Sequence, residues 1–344
     1  MISYAQNFED VILARTFRGI SSGFYIDVGA WDPTIDSVTR HFYDSGWSGI
    51  NVEPNPLFYE RLVLERARDI NLNCAVSDAP EDGPFYVFDD TGTSTFDKTI
   101  ADYFGSRFSL REIKAPTRTL TDIVRAVSRD ITFLKIDVEG WERQVIRSLD
   151  WTKFRPLVLL LEAVDQAGNP TWSSWEDLLF RESYDFAYFD GLNRFYVTHE
   201  RSDLIHLLST PPNVFDDFIL HREQITRQHL DECRSQHAIT QEEINTSRAE
   251  LQSYVLNLEK AEPIETVIGK DGSESAVSLS NYVRAIISTF DAYLEVERRT
   301  VRELSNANAA LRLWAGEIEQ TRAIEVATNS SRHHGDHAVK FKNT

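Results

Sequence analysis

Short apolar runs, each closed by a glycine, a proline or an acid, alternate with helical patterns through the first 220 residues. Phe24-Tyr25-Ile26-Asp27-Val28 runs into Gly29. Gly49-Ile50-Asn51-Val52-Glu53 is closed by Pro54-Asn55-Pro56. The strand Thr132–Val138 ends at Glu139-Gly140, and Leu157–Glu162 is the most apolar run, suited to the centre of a parallel sheet. Helical patterns lie between these runs: from a Ser3 cap to about Phe17, Pro56 to about Arg68, Leu120 to Val127 behind a Thr119 cap, Trp141 to Leu149, and Trp172 to Arg181. Leu72–Val76 reads as a third short strand. Pro84–Phe88 and Ala115–Arg118 read as extra extended segments. Phe186–Phe189 and Arg194–Thr198 flank Gly191 and Asn193 and predict a terminal hairpin. Strand–helix alternation of this kind predicts an α/β fold, an open sheet with helices on both faces.

Near residue 220 the pattern changes to long helix. Val283, Ile287, Phe290, Leu294, Val301, Leu304, Leu311, Ala315 and Ile318 recur at heptad spacing, interrupted by Glu297 and Asn308. A weaker seam carries Leu230, His237, Ile244, Leu251 and Leu258, and Pro263 with Gly269–Ser273 breaks the helix between the two. The expected organisation is an α/β domain over 1–222, a helical hairpin or coiled-coil arm over 223–328, and a polar, disordered tail over 329–344. The arm would serve self-association or act as a rigid spacer.

With 36 Lys+Arg against 54 Asp+Glu, the formal net charge is −18, which argues against a nucleic-acid partner. Two cysteines, Cys74 and Cys233, are too few for a disulfide framework or a cysteine-based zinc site. The first ten residues lack the basic and apolar regions of a signal peptide, and no apolar run is long enough to span a membrane. A cytoplasmic setting is expected.

Four constellations carry the polar chemistry. At Asp27-Val28-Gly29-Ala30 an apolar strand enters a glycine turn, where ligands of doubly wound sheets bind. An ordinary strand–turn–helix junction fits it equally. Glu53 closes the next strand, and an acid at that distance beyond the glycine turn commonly holds a ribose diol. Ser77 and Asp78 follow the third strand, where they either reach a purine edge or simply form a turn. Lys135, Asp137 and Glu139 share parity on one strand, with Glu162 ending the next, so they predict an acidic mouth able to accept a proton from a hydroxyl. An ion pair of Lys135 with one of these acids is the plainer alternative. Mg²⁺ held by these carboxylates ranks below the metal-free reading, because no ligand spacing is diagnostic. His333, His334 and His337 belong to a polar tail and are not read as a metal site.

Taken in order, Tyr4-Ala5-Gln6-Asn7-Phe8-Glu9-Asp10, Tyr25-Ile26-Asp27-Val28-Gly29-Ala30, Val52-Glu53-Pro54-Asn55-Pro56, Asn73-Cys74-Ala75-Val76-Ser77, Leu134-Lys135-Ile136-Asp137-Val138-Glu139-Gly140 and Leu160-Leu161-Glu162 resemble FkbM-type methyltransferases over roughly residues 1–220. The resemblance implies a Rossmann-like class I methyltransferase sheet and an S-adenosylmethionine-dependent O-methyltransferase, and it points to a sugar or glycan acceptor. It implies that Gln6 and Asn7 lie over the cofactor, and that Asp27, Gly29 and Ala30 hold its methionine portion. Glu53, with Pro54 and Asn55 beside it, would take the ribose. Ser77 and Asp78 would sit near the adenine. Asp137 and Glu139 would lie at the methyl-transfer site, supported by Lys135 and Glu162. Trp31-Asp32-Pro33 departs from the family by replacing a further glycine. Residues 89–114, with Gly92-Thr93-Ser94-Thr95, would contact the acceptor. Two other readings compete. One is a degenerate scaffold assembled through its C-terminal helices. The other is an NAD-dependent enzyme, which the missing G-x-G-x-x-G opposes.

Overall fold

A computed structural model describes residues 1–79, 83–88, 92–105, 109–125, 127–165, 167–261, 266–268, 274–276, 284–289, 291–292, 295, 299 and 302. The chain divides into two compact units, Met1–Arg227 and Gln228–Thr344.

In the first unit the strands are β1 (Ile2–Ser3), β2 (Phe24–Val28), β3 (Ser48–Val52), β4 (Ile70–Leu72), β5 (Ala75–Val76), β6 (Gly83–Phe88), β7 (Leu110–Ala115), β8 (Thr117–Arg118), β9 (Phe133–Ile136), β10 (Val158–Glu162), β11 (Tyr184–Phe189), β12 (Asn193–Thr198) and β13 (Ile219–Leu220). The helices are α1 (Glu9–Thr16), α2 (Arg40–Asp44), α3 (Pro56–Glu65), α4 (Lys98–Gly105), α5 (Leu120–Val124), α6 (Glu142–Arg147), α7 (Glu176–Arg181), α8 (Ile205–Leu208) and α9 (His221–Ala261), the last running on into the second unit.

Seven strands form the main sheet in the order β11-β12-β10-β9-β2-β3-β4. From β4 to β10 the neighbours are parallel, and β12 pairs antiparallel with both β10 and β11, as the terminal hairpin predicts. The chain runs outward from β2 to β4, then returns to start again at β9. The strand order therefore reverses between β2 and β9, the switch point at which doubly wound sheets bind ligands.

Two apolar layers cover the sheet, as alternation along buried strands requires. Ile26, Val28, Ile50, Val52, Leu134, Ile136, Leu159 and Leu161 face α5, α6 and α7 through Ile123, Val145, Ile146 and Leu179. Tyr25, Phe133, Val158, Leu160 and Val197 face the other way, onto Ile12, Leu13, Phe17, Phe42 and Leu208. A smaller cluster of Ala75, Phe85, Val87 and Ala115 packs the antiparallel pair β6–β7 beside the parallel pair β5–β8.

Several local expectations change. Ser3 does not cap α1. It lies in β1, its hydroxyl donates to Asp10 at 2.7 Å, and α1 starts six residues later behind Phe8 in the left-handed region. The expected strand Leu72–Val76 is two strands. β4 stays in the main sheet, while the Asn73 amide donates to the Glu53 and Pro54 carbonyls and sends β5 to β8. The expected strand Thr132–Val138 stops at Ile136, and Glu139 has φ +51°, so strand parity does not extend to Glu139. Trp172–Ser174 is a 3₁₀ turn ahead of α7. Thr119 does cap α5, accepting from Asp122 N, and Pro56 does open α3, where Asn55 supplies a cap by accepting from Leu57 N.

The second unit holds the remainder of α9 and an antiparallel pair, β14 (Thr266–Ile268) and β15 (Glu274–Ala276). Residues 284–289 are helical, and Arg248 of α9 ion-pairs with Asp291 at 2.8 Å. Of the stronger heptad seam, only Ile287 falls within the described residues. Val283, Phe290, Leu294, Glu297, Val301, Leu304, Asn308, Leu311, Ala315 and Ile318 lie outside them, as do Pro263, Gly269–Ser273 and the tail 329–344.

Candidate functional site

At the switch point the ends of β2, β3 and β9 surround a cleft of about 520 Å³, open mouth included. Its polar edge is Gly29, Glu53, Pro54 and Asp137. Its walls include Trp31, Phe58, Cys74, Val76, Phe85, Phe96 and Trp141. Tight backbone packing builds the floor. Gly29 has φ +80°, and its N–H donates to Val52 O at 3.0 Å. A Cβ at Gly29 would lie 1.8 Å from the Asp137 carbonyl oxygen. Only glycine combines that φ with that approach.

Glu53 turns into this corner and is 5% exposed. One carboxylate oxygen accepts from Asn55 N at 2.7 Å and the other from Trp31 N at 2.9 Å. Burial pushes its carboxyl up to about 7. The two N–H donors and Lys135 pull it down, and Asp27 adds to the rise. Each oxygen keeps a lone pair beyond its backbone partner. Trp31 takes φ +49°, a strained value for an aromatic residue, as it brings its N–H to Glu53.

Lys135 lies behind the cleft and ties the floor together. Its ammonium donates to Gly29 O at 3.1 Å and ion-pairs with Asp27 at 3.2 Å and Asp137 at 3.4 Å. Burial works against this cation, but Asp27 and then Asp137 outweigh it and hold its pKa above the ordinary lysine value. The Lys135 ion pair expected as the plainer alternative is therefore present at Asp137, and Asp27, which lay outside that expectation, shares the ammonium.

Asp137, Glu139 and Glu162 converge, each offering a carboxylate oxygen within 4.8 Å of the others. Burial, then the charges of Asp137, Glu139 and Glu142, raise the Glu162 pKa well above the usual carboxylate range. Like charges this close disfavour one another's ionisation, which adds to the rise. A hard divalent cation could bridge oxygens at this spacing. The Lys135 ammonium already supplies positive charge beside Asp137.

The other expected site residues are placed as follows. Asp27 is 1% exposed and does not line the cleft; its second oxygen accepts from Thr39 Oγ1 at 2.9 Å. The Ala30 N–H donates to Val52 O at 3.2 Å, and Asn55 is the α3 cap. Ser77 accepts from Ala79 N at 3.3 Å, and Asp78 ion-pairs with Arg147 at 3.0 Å; neither lines the cleft. Asn7 donates to Asp190 O at 3.2 Å, and Gln6 is exposed; neither lines the cleft. Of residues 89–114, Gly92, Ser94 and Phe96 do line it.

Sequence reasoning missed Glu142. It is 3% exposed, and its Oε1 accepts from Gly140 N at 3.1 Å and Val138 N at 3.4 Å, folding the loop that carries Asp137 and Glu139. Burial raises its carboxyl to about 7, with Asp137 adding to the rise against the backbone donors. The available signal was an acid two residues past Gly140, at the start of the predicted helix. Trp141 joins Phe96 as a cleft wall.

No helix among the described residues is long and apolar enough to cross a membrane. No curated protein matches the chain. Residues 27–188, which run from Asp27 of β2 to Tyr188 of β11 and include every residue lining the cleft, match the family model of the Methyltransferase FkbM domain.

Proposed function

We propose that the chain is an S-adenosylmethionine-dependent O-methyltransferase acting on a hydroxyl of a sugar or glycan intermediate, with its activity in residues 1–222. The observation that carries the reading is the pairing of Glu53 and Asp137 across one cleft at the switch point. Glu53 has a free lone pair on each oxygen for a ribose diol, and Phe85, Phe96 and Val76 offer apolar walls for a purine. These residues fit S-adenosylmethionine, which when bound supplies an electrophilic methyl group on a sulfonium. Glu53 would take the ribose hydroxyls. Asp137, 36% exposed at its side chain, faces the reacting end and accepts the proton that the acceptor hydroxyl loses. Lys135 holds that carboxylate in place. Glu162, whose pKa burial and its acidic neighbours raise, hydrogen-bonds to that carboxylate and holds it towards the acceptor. The net negative charge suits a cationic cofactor and a neutral polyhydroxyl acceptor.

Titration calorimetry with S-adenosylmethionine and S-adenosylhomocysteine tests the cofactor, and no detectable heat rejects the reading. Mass spectrometry of glycans from a deletion strain tests the acceptor: loss of a methyl group is expected. For residues 223–328 we propose self-association or docking to a glycan-assembly partner. Comparing the solution mass of the full chain with that of a chain ended after Arg227 tests the first of these.

A further inference from the structure

Thr39 occupies the N-cap position of α2 but makes no capping hydrogen bond. Threonine at that position ordinarily accepts from a helix N–H. Here its hydroxyl proton goes to Asp27 Oδ2 at 2.9 Å, and its oxygen accepts from Arg66 Nη2 at 3.0 Å. A hydroxyl has one proton, so a guanidinium donor on its oxygen forces that proton towards the carboxylate. Arg66 is itself immobilised. It is 0% exposed, its Nε donates to Asp69 at 3.1 Å, its Nη2 donates to Tyr25 Oη at 2.8 Å, and its Nη1 donates to Pro33 O at 3.2 Å. The polar chain Arg66–Thr39–Asp27–Lys135 therefore runs without a break from the buried face of the sheet to the cleft, where Lys135 holds Gly29 O and Asp137.

We propose that Thr39 is a positioning residue for the methyl-transfer site: its hydroxyl, oriented by Arg66, fixes Asp27 so that Lys135 is shared between Asp27 and Asp137. The inference rests on the cofactor reading above. When the Thr39 donor is lost, Asp27 turns, Lys135 moves onto Asp137, and that carboxylate is withdrawn from the cationic end of the ligand. The Glu53 end of the cleft, held by the backbone of Trp31 and Asn55, stays as it was.

Calorimetry on the full chain separates the two ends. S-adenosylhomocysteine carries an ammonium for the Asp137 end, and adenosine reaches only the Glu53 end. Thr39→Val, which keeps the shape and removes the hydroxyl, is expected to weaken S-adenosylhomocysteine at least tenfold and adenosine less than twofold. Thr39→Ser is expected to restore both affinities to within about twofold of wild type. If Thr39→Val melts below the titration temperature, Thr39→Ala is measured in its place. Unchanged S-adenosylhomocysteine affinity, or an equal loss for both ligands, overturns the inference alone. Absence of binding to the wild type overturns the cofactor reading and this inference with it.

Discussion

Gly29 and Asp137 meet backbone to backbone, so close that the two strands leave no room for a Cβ between them. This contact joins the end of β2 to the first residue after β9, and so brings the glycine turn and the acidic mouth into one cleft. Gly29→Ala would combine a strained positive φ with a backbone clash. We expect it to destabilise the first unit by about 2–4 kcal/mol and to abolish cofactor binding. Urea denaturation and calorimetry on the variant check both.

Glu53 titrates near pH 7 in the free protein because burial disfavours its charge. A ribose diol donates to the ionised form, so ligand binding draws a proton off Glu53. Affinity for S-adenosylhomocysteine should therefore rise roughly tenfold from pH 6 to pH 8, as the ionised fraction grows. Glu53→Gln should weaken binding and flatten this dependence. Titrations at several pH values decide it.

Glu142 is the converse case, an acid whose charge brings no ligand contact. Its folded pKa of about 7 lies above the ordinary carboxylate value of 4.5. The native state therefore binds more protons than the unfolded one between those pH values, and stability falls as pH rises through that window. Glu142→Gln keeps the Oε1 acceptor for Gly140 and Val138 and removes the charge. We expect it to match wild type at pH 4.5 and to exceed it by on the order of 1–3 kcal/mol at pH 8. Urea unfolding at the two pH values checks the sign.

Asp137→Asn removes the carboxylate that we assign to the acceptor proton and leaves Glu53 untouched. Turnover should fall by about a hundredfold or more, within the range of general-base contributions, while adenosine affinity stays within twofold. Glu53→Ala should do the reverse, weakening adenosine first. Calorimetry, and a methyl-transfer assay once the acceptor is known, check the contrast.

Arg66 and Asp69 form an ion pair at 3.0 Å with both side chains wholly buried. Asp69 also accepts from Tyr25 Oη, Gly49 N and Asn51 Nδ2. Arg66→Met leaves the carboxylate without its counter-charge and should destabilise the fold by about 3 kcal/mol or more. Asp69→Asn, which keeps oxygen acceptors, should be milder. Thermal melts of the two variants check the order.

The amino-acid sequence by itself determined the elements and their chemistry at strand ends. Apolar runs at β2, β3, β9 and β10, the cap at Thr119, Pro56 opening α3, and acids at Glu53 and Asp137 follow from local periodicity and side-chain type, which neighbouring residues suffice to express. The tertiary structure alone decided which of those residues share the cleft. Asp27 reads as a ligand contact, yet Thr39 and Lys135, far from it in the chain, turn its carboxylate inward. Ser77 and Asp78 read as a base-edge pair, yet the Asn73 bonds to Glu53 and Pro54 divert β5 away from β4, and Arg147 claims Asp78. Glu139 has strand parity with Asp137 on paper, but a left-handed residue breaks the alternation. For Asp27 and Asp78 a partner in another element, Lys135 or Arg147, took the side chain, and no period along the chain records such a partner.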